Sequence, residues 1–344
     1  MKNKNIFRWI RGTIFVVIAA LLFSYVSMVV ERKTVDGSWN YMGKLNEFYE
    51  MPENSIDVIA VGSSHAYCTM NPLEIWNNNN ITSFVLATQQ QPLNASYYYV
   101  KEAFKTQSPK VVIVEGFMGY VDYEYPKDGV AYDAIDPLRP SLNKLALIRE
   151  IVPSDQRENY YFNVLKYHSR WREVKEQDYD PAYRLKADSY KGFILLTANE
   201  AFEKSEIDYE KVDKVDIPPI PLESLNALKE LITDNGAEMI LLIAPFDHID
   251  ENIASVMKAE REWAQENDVD LIDINVLYDD LGIDGKTDFY DSEHLNAYGA
   301  NKVSRYLGDY LKENYSIEPN PNADSEKWNS DYKKAEAKIN KTDS

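Results

Sequence analysis

Two short segments hold the residue types that acyl-group chemistry needs. The first is Gly62-Ser63-Ser64-His65. The second is Asp291-Ser292-Glu293-His294, within the run DFYDSEHLNAYGA. An Asp and a His three residues apart can face each other across one turn. The carboxylate of Asp291 would then hold the tautomer of His294, while the other ring nitrogen takes a proton from a serine hydroxyl. Ser64 supplies that hydroxyl, at the end of an apolar run and ahead of a helix. Backbone N–H groups there can meet an oxyanion, and Gly62 permits the tight turn. Each segment also has a plain structural reading. Ser63 or Ser64 could simply cap a helix, and Asp291 a turn.

Other residues are candidates for contact with a substrate. His65 adjoins the nucleophile. Tyr167-His168-Ser169-Arg170-Trp171 is a dense polar-aromatic cluster, from which His168 and Arg170 could hold an acyl or sugar group. The glutamines of Ala87-Thr88-Gln89-Gln90-Gln91-Pro92 offer an amide for the oxyanion, with Gln90 the choice and the Ser64 N–H as the second donor. The four histidines are His65, His168, His248 and His294, and no two have zinc-motif spacing. Cys68 is the only cysteine, so no intrachain disulfide forms, and one turn after Ser64 it reads as buried. Neither metal nor cofactor is expected.

These residues need elements to position them. Ile56–Val61, Ser83–Ala87, Lys110–Val114, Glu238–Ala244 and Val269–Ile274 are short, mainly apolar runs. Helical spacing covers 95–105, 222–234, 254–266 and 297–313, with Asn296 an N-cap for the last. Such apolar strands alternating with helices predict an α/β fold, a doubly wound five-stranded parallel sheet covered on both faces. Its sites lie at the carboxyl ends of the strands, where Ser64 and the Asp291–His294 pair both fall. Residues 120–215 interrupt this order. They are polar, show no clear buried strand and hold 11 of the 25 tyrosines, side chains suited to a carbohydrate platform. They read as a mainly helical insertion. Residues 316–344 are polar enough to read as a mobile tail.

Chain order and motif resemble the SGNH/GDSL hydrolase superfamily, whose sheet is flavodoxin-like. Gly62-Ser63-Ser64 matches its first block, and Asp291 with His294 its last, over roughly 55–119 and 216–315. The third block, Gly-x-Asn-Asp, is absent; Glu115-Gly116-Phe117-Met118-Gly119 stands there, so the superfamily's oxyanion asparagine is missing. The Gly-Ser-Ser-His form behind an N-terminal anchor is similar to membrane-anchored proteins of envelope-polymer acylation, of the D-alanyl-teichoic-acid transfer and alginate acetylation type. That resemblance implies catalysis by Ser64, Asp291 and His294, an acyl donor, a glycan acceptor and a membrane-bound O-acyltransferase as partner. Transfer to a sugar hydroxyl and hydrolysis to water share this site. A catalytically degenerate domain serving as a scaffold is the alternative.

The chain has 344 residues and a net charge of −19, unevenly placed. Residues 1–30 hold Lys2, Lys4, Arg8 and Arg11 and no acid, leaving 33 bases against 56 acids, a net −23, in the rest. That balance excludes a nucleic-acid binder, which needs a basic face. Gly12 to Val30 is 19 residues without a charge, long enough to cross a hydrocarbon core of about 30 Å. The basic residues ahead of it keep the N-terminus cytoplasmic. The expected organisation is a signal-anchor over 1–33, with a cleaved signal peptide as the competing reading, a juxtamembrane helix and linker over 34–54, the sheet domain over 55–315 with its insertion, and the tail. The protein is thus expected at the cell membrane as a single-pass chain with its catalytic domain extracytoplasmic.

Overall fold

The computed structural model describes residues 2–31, 39–201, 207–213, 215–245 and 249–342. His248 lies outside them. Five parallel strands form one sheet: β1 (Val58–Gly62), β2 (Ser83–Ala87), β3 (Val111–Glu115), β4 (Glu238–Ile243) and β5 (Asp270–Asp273). Their order is β2-β1-β3-β4-β5. This is the flavodoxin-like winding, in which the chain reverses direction across the sheet between β1 and β3. Every residue of β1, β2 and β3 is buried, as continuously apolar runs require when helices cover both faces.

Helices supply that cover. Before the sheet come α1 (Lys2–Val30) and α2 (Tyr41–Tyr49). The crossover from β1 to β2 holds α3 (Ser64–Thr69) and α4 (Pro72–Asn79), and α5 (Leu93–Ala103) joins β2 to β3. The insertion holds α6 (Asp128–Ile135), α7 (Leu142–Ile151), α8 (Arg157–Tyr161) and α9 (Asn163–Tyr167). After it run α10 (Pro219–Asp234), α11 (Glu251–Glu266), α12 (Ile274–Leu277), α13 (Ala297–Tyr315) and α14 (Ser325–Thr342). The Asn296 side chain caps α13 by accepting from the N–H groups of Tyr298 and Gly299, as its residue type predicts. Within α1, Ile6–Val30 is long and apolar enough to cross a membrane.

Three expectations need correction. Where a mobile tail is expected, residues 316–342 are ordered, because α14 packs on α4. Trp328 is fully buried, its ring 5.4 Å from that of Trp76, and Asp331 forms a 2.7 Å ion pair with buried Lys191. The expected juxtamembrane helix is present as α2, but it belongs to the domain expected to begin at 55, since it sends Leu45 and Phe48 into the core. The insertion is not wholly polar, for Tyr190–Leu196 is buried along its whole length. The N–H of Val85 in β2 donates to the carbonyl of Lys191 at 2.9 Å.

Candidate active site

The turn after β1 separates the roles of its two serines. Ser63 is the N-cap of α3 and is fully buried. Its Oγ accepts from the N–H of His65 and donates to Oε2 of Glu115 at 2.8 Å. Its own N–H donates to the same oxygen at 3.1 Å. Gly62 lets this happen: its φ is +151°, and a Cβ there would lie 2.6 Å from Cβ of Glu115. Ser63 is therefore the cap, which frees Ser64, at the first helical position, for chemistry. Burial pushes the Tyr67 phenol, one turn on, well above the usual tyrosine range, and the Ser64 hydroxyl pulls the other way.

The second segment is a tight loop ahead of α13. Oδ1 of Asp291 accepts from the N–H groups of Glu293 and His294 at 2.9 and 2.8 Å. Nδ1 of His294 lies 2.9 Å from Oδ1 and 3.1 Å from Oδ2 of the same carboxylate. With the ring hydrogen on Nδ1, Nε2 carries the lone pair. That nitrogen is shielded from solvent and has no hydrogen-bond partner among the described residues. The orientation expected of an Asp–His pair is thus present. No hydrogen bond joins Nε2 to Ser64.

One buried segment ties the two halves together. The N–H of Ile194 donates to the carbonyl of Tyr67 in α3 at 3.0 Å, and the N–H of Ala297 in α13 donates to the carbonyl of Leu196 at 2.7 Å. The ring of His65 meets that of His294 at 5.1 Å between centroids and stacks on Phe117 at 3.8 Å. Adjacent side chains usually diverge, yet His65 does reach the site. Burial first, and the nearby His294 second, hold its imidazole well below the usual histidine range, so it is neutral. Nitrogens of His65 and His294 and a carboxylate oxygen of Glu293 all lie within 4.8 Å of one another, close enough to hold a divalent cation. Sequence spacing gave no sign of this set, because the two histidines meet only through the fold.

The other candidates stand elsewhere. Gln90 has a left-handed φ of +48° and is exposed, and no bond ties it to Ser64 or His294 among the described residues. Gln91 is the buried glutamine of that loop, but its amide is engaged by Thr88 and Ser96. His168 is exposed, its Nδ1 2.7 Å from the carbonyl of Leu165. Arg170 donates from Nη1 to the carbonyls of Val30 and Glu31, so it caps the end of α1.

Three residues beside the site carried no signal in the sequence. Glu115 closes β3 and takes the Ser63 hydroxyl and N–H on Oε2 and the N–H of Phe117 on Oε1, at 2.6 Å. Burial pushes its carboxyl up to about 7, against those three bonds. Tyr67 lies 3.4 Å, oxygen to oxygen, from the hydroxyl of Tyr41. Buried Lys44 sits over the Tyr67 ring at 4.9 Å with no hydrogen-bond partner on Nζ among the described residues, and burial pushes it down to about 7. Isolated Tyr, Lys and Glu residues form no motif, so only the fold reveals them.

No protein-family model matches the chain, and no curated protein matches its sequence. Among solved structures, a lipolytic protein assigned to the G-D-S-L family from Desulfitobacterium hafniense is similar over 75% of this chain and 100% of its own, at 12% identity and a TM-score of 0.38. A gut microbial diltiazem-metabolizing enzyme is similar over 76% of this chain and 47% of its own, at 14% identity and a TM-score of 0.27. Likeness this distant leaves the site to be read from its own geometry.

Proposed function

We propose that the protein is a serine acyl-ester enzyme working through an acyl-serine intermediate. The observation that carries this reading is the Asp291–His294 pair, with Nε2 of His294 unbonded and shielded beside the helix that Ser64 begins. The Ser64 hydroxyl first turns toward Nε2 of His294, which holds no hydrogen bond among the described residues. Its Oγ then attacks the acyl carbonyl, and the hydroxyl proton passes to Nε2. The N–H of Ser64 helps to hold the oxyanion. Collapse of the tetrahedral adduct breaks the ester C–O bond, and His294 returns the proton to the departing alcohol. A second hydroxyl attacks the acyl-serine by the same steps in reverse. Where it belongs to a sugar the enzyme is an O-acyltransferase, and where it is water an esterase.

The apolar helix Ile6–Val30, with basic residues ahead of it, supports a membrane anchor that holds the catalytic domain outside the cytoplasm. With the resemblance of the Gly-Ser-Ser-His motif, this favours a cell-envelope or secreted glycan as acceptor and a membrane-bound O-acyltransferase as supplier of acyl groups. The test is turnover of a chromogenic acetyl ester by the purified protein, with and without a sugar acceptor. Loss of turnover in Ser64→Ala, with sugar ester appearing only when acceptor is present, is the expected result. Full turnover by Ser64→Ala overturns the assignment and leaves the scaffold reading.

A further inference from the structure

The insertion grips the end of α1. Arg170 caps the last carbonyls of that helix, and Asn163 donates to Oε1 of Glu31 at 2.6 Å. Phe162 meets Phe23 edge to face at 6.2 Å between centroids. Phe23 lies seven residues before Val30, so this contact is about 10 Å back along the helix axis. Ile6–Val30 is 25 residues, about 37 Å of helix, against a hydrocarbon core of about 30 Å. A spanning α1 therefore brings Phe162 and its neighbours to the level of the bilayer.

Those neighbours are apolar and face outward. Leu142 is 85% exposed, Trp171 64%, Phe162 50% and Leu165 47%, and Leu145 is exposed beside them. Groups this apolar belong in water only at a cost, and here they continue the apolar surface of α1. Between α1 and the insertion lies a cleft of about 550 Å³, whose lining includes Phe23, Met28, Leu142, Leu145 and Phe162. The guanidinium of Arg172 lies 5.2 Å from the centre of the Trp171 ring. A tryptophan beside an exposed cation suits the headgroup layer, where the indole sits among headgroups and the charge meets phosphate.

We infer that this face of the insertion is seated in the membrane leaflet at the C-terminal end of α1, with a phospholipid acyl chain in the cleft. The inference rests on the reading of α1 as a membrane anchor. A lipid occupant is favoured over a protein because the face is continuous with the part of α1 that lipid must cover. The domain would then be held at the membrane by two contacts, the helix and the seat. A seated domain has a fixed tilt, unlike one on a free tether.

The test uses the full chain in phosphatidylcholine/phosphatidylglycerol nanodiscs, with an environment-sensitive fluorophore on single cysteines replacing Leu142, Phe162, Val276 and Val17. Nanodiscs doped with doxyl-labelled lipid supply the quencher. Labels at 142 and 162 are expected to emit as in an apolar medium and to be quenched by lipid labelled near the headgroup. The label at 276, exposed on α12, should behave as in water, and the label at 17 should be quenched by deeply labelled lipid. Water-like behaviour at 142 and 162 with quenching at 17 overturns the seat and leaves the anchor. Shielding at 142 and 162 without lipid quenching means a protein covers the face, and also overturns it. Water-like behaviour at 17 removes the anchor and the seat together.

Discussion

Nδ1 of His294 lies 2.9 Å from Oδ1 and 3.1 Å from Oδ2 of Asp291, whose Oδ1 also accepts two backbone N–H groups. The carboxylate is fixed by the backbone and in turn fixes the ring. Asp291→Asn would place an amide opposite Nδ1 and favour the other tautomer, with the hydrogen on Nε2. Ester turnover is expected to fall by roughly one to three orders of magnitude, less than for a buried triad aspartate because the Asp291 side chain is 37% exposed. The melting temperature should change little. Unchanged kcat/KM in this variant contradicts the role of the pair.

Glu115 predicts a pH dependence of stability. Its folded value, about 7, is raised above its ordinary 4.5 by burial. A raised carboxyl contributes stability that is fully present below about 4.5 and lost as pH rises through about 7. Glu260, buried nearby, is raised by burial first and by the Glu115 charge second, and acts in the same direction. Glu260→Gln removes one ionisation without breaking a hydrogen bond to Ser63. Its melting temperature relative to the parent should therefore rise between pH 5 and pH 8. A pH-independent difference contradicts this account of the two acids.

The end of the chain is expected to be structural. Trp328→Ala should cost about 3–5 kcal/mol, the usual range for emptying a buried aromatic site. Lys191 pairs with Glu47 and Asp331, each at 2.7 Å, and is itself fully buried. Lys191→Met leaves both acids without their shared cation and should cost about 3–5 kcal/mol. Urea denaturation measures both. Parental midpoints would mean that α14 does not pack on the domain in solution.

The strands were legible because a strand buried on both faces must be mainly apolar, as Phe84–Ala87 is throughout. The cap at Asn296 was legible because its chemistry is local. The helix α14 was not, because its buried stripe of Trp328, Ala335 and Ile339 is one residue wide among charges. Within the site, Asp291 and His294 could be paired from spacing alone. His65, Glu115, Tyr67 and Lys44 could not, since their partners lie on other elements. The left-handed φ of Gln90 was not legible either, because spacing carries no φ.

The ligand set of His65, Glu293 and His294 predicts inhibition by Zn²⁺. An ion on Nε2 of His294 would occupy the lone pair that takes the serine proton in the proposed mechanism. Added Zn²⁺ should suppress ester turnover, and a chelator should restore it. In Glu293→Gln more Zn²⁺ should be needed for the same inhibition. Equal Zn²⁺ sensitivity in Glu293→Gln and the parent contradicts this set.

In the proposed mechanism Ser64, not its neighbour Ser63, takes the acyl group. Ser63 is spent on Glu115 and the α3 cap, whereas Ser64 begins the helix. The direct measurement is peptide mass spectrometry after reaction with a fluorophosphonate probe. One adduct is expected, on Ser64, retained in Ser63→Gly, absent in Ser64→Ala, and strongly slowed in His294→Ala. An adduct on Ser63, or labelling of Ser64 that proceeds equally fast without His294, would contradict it.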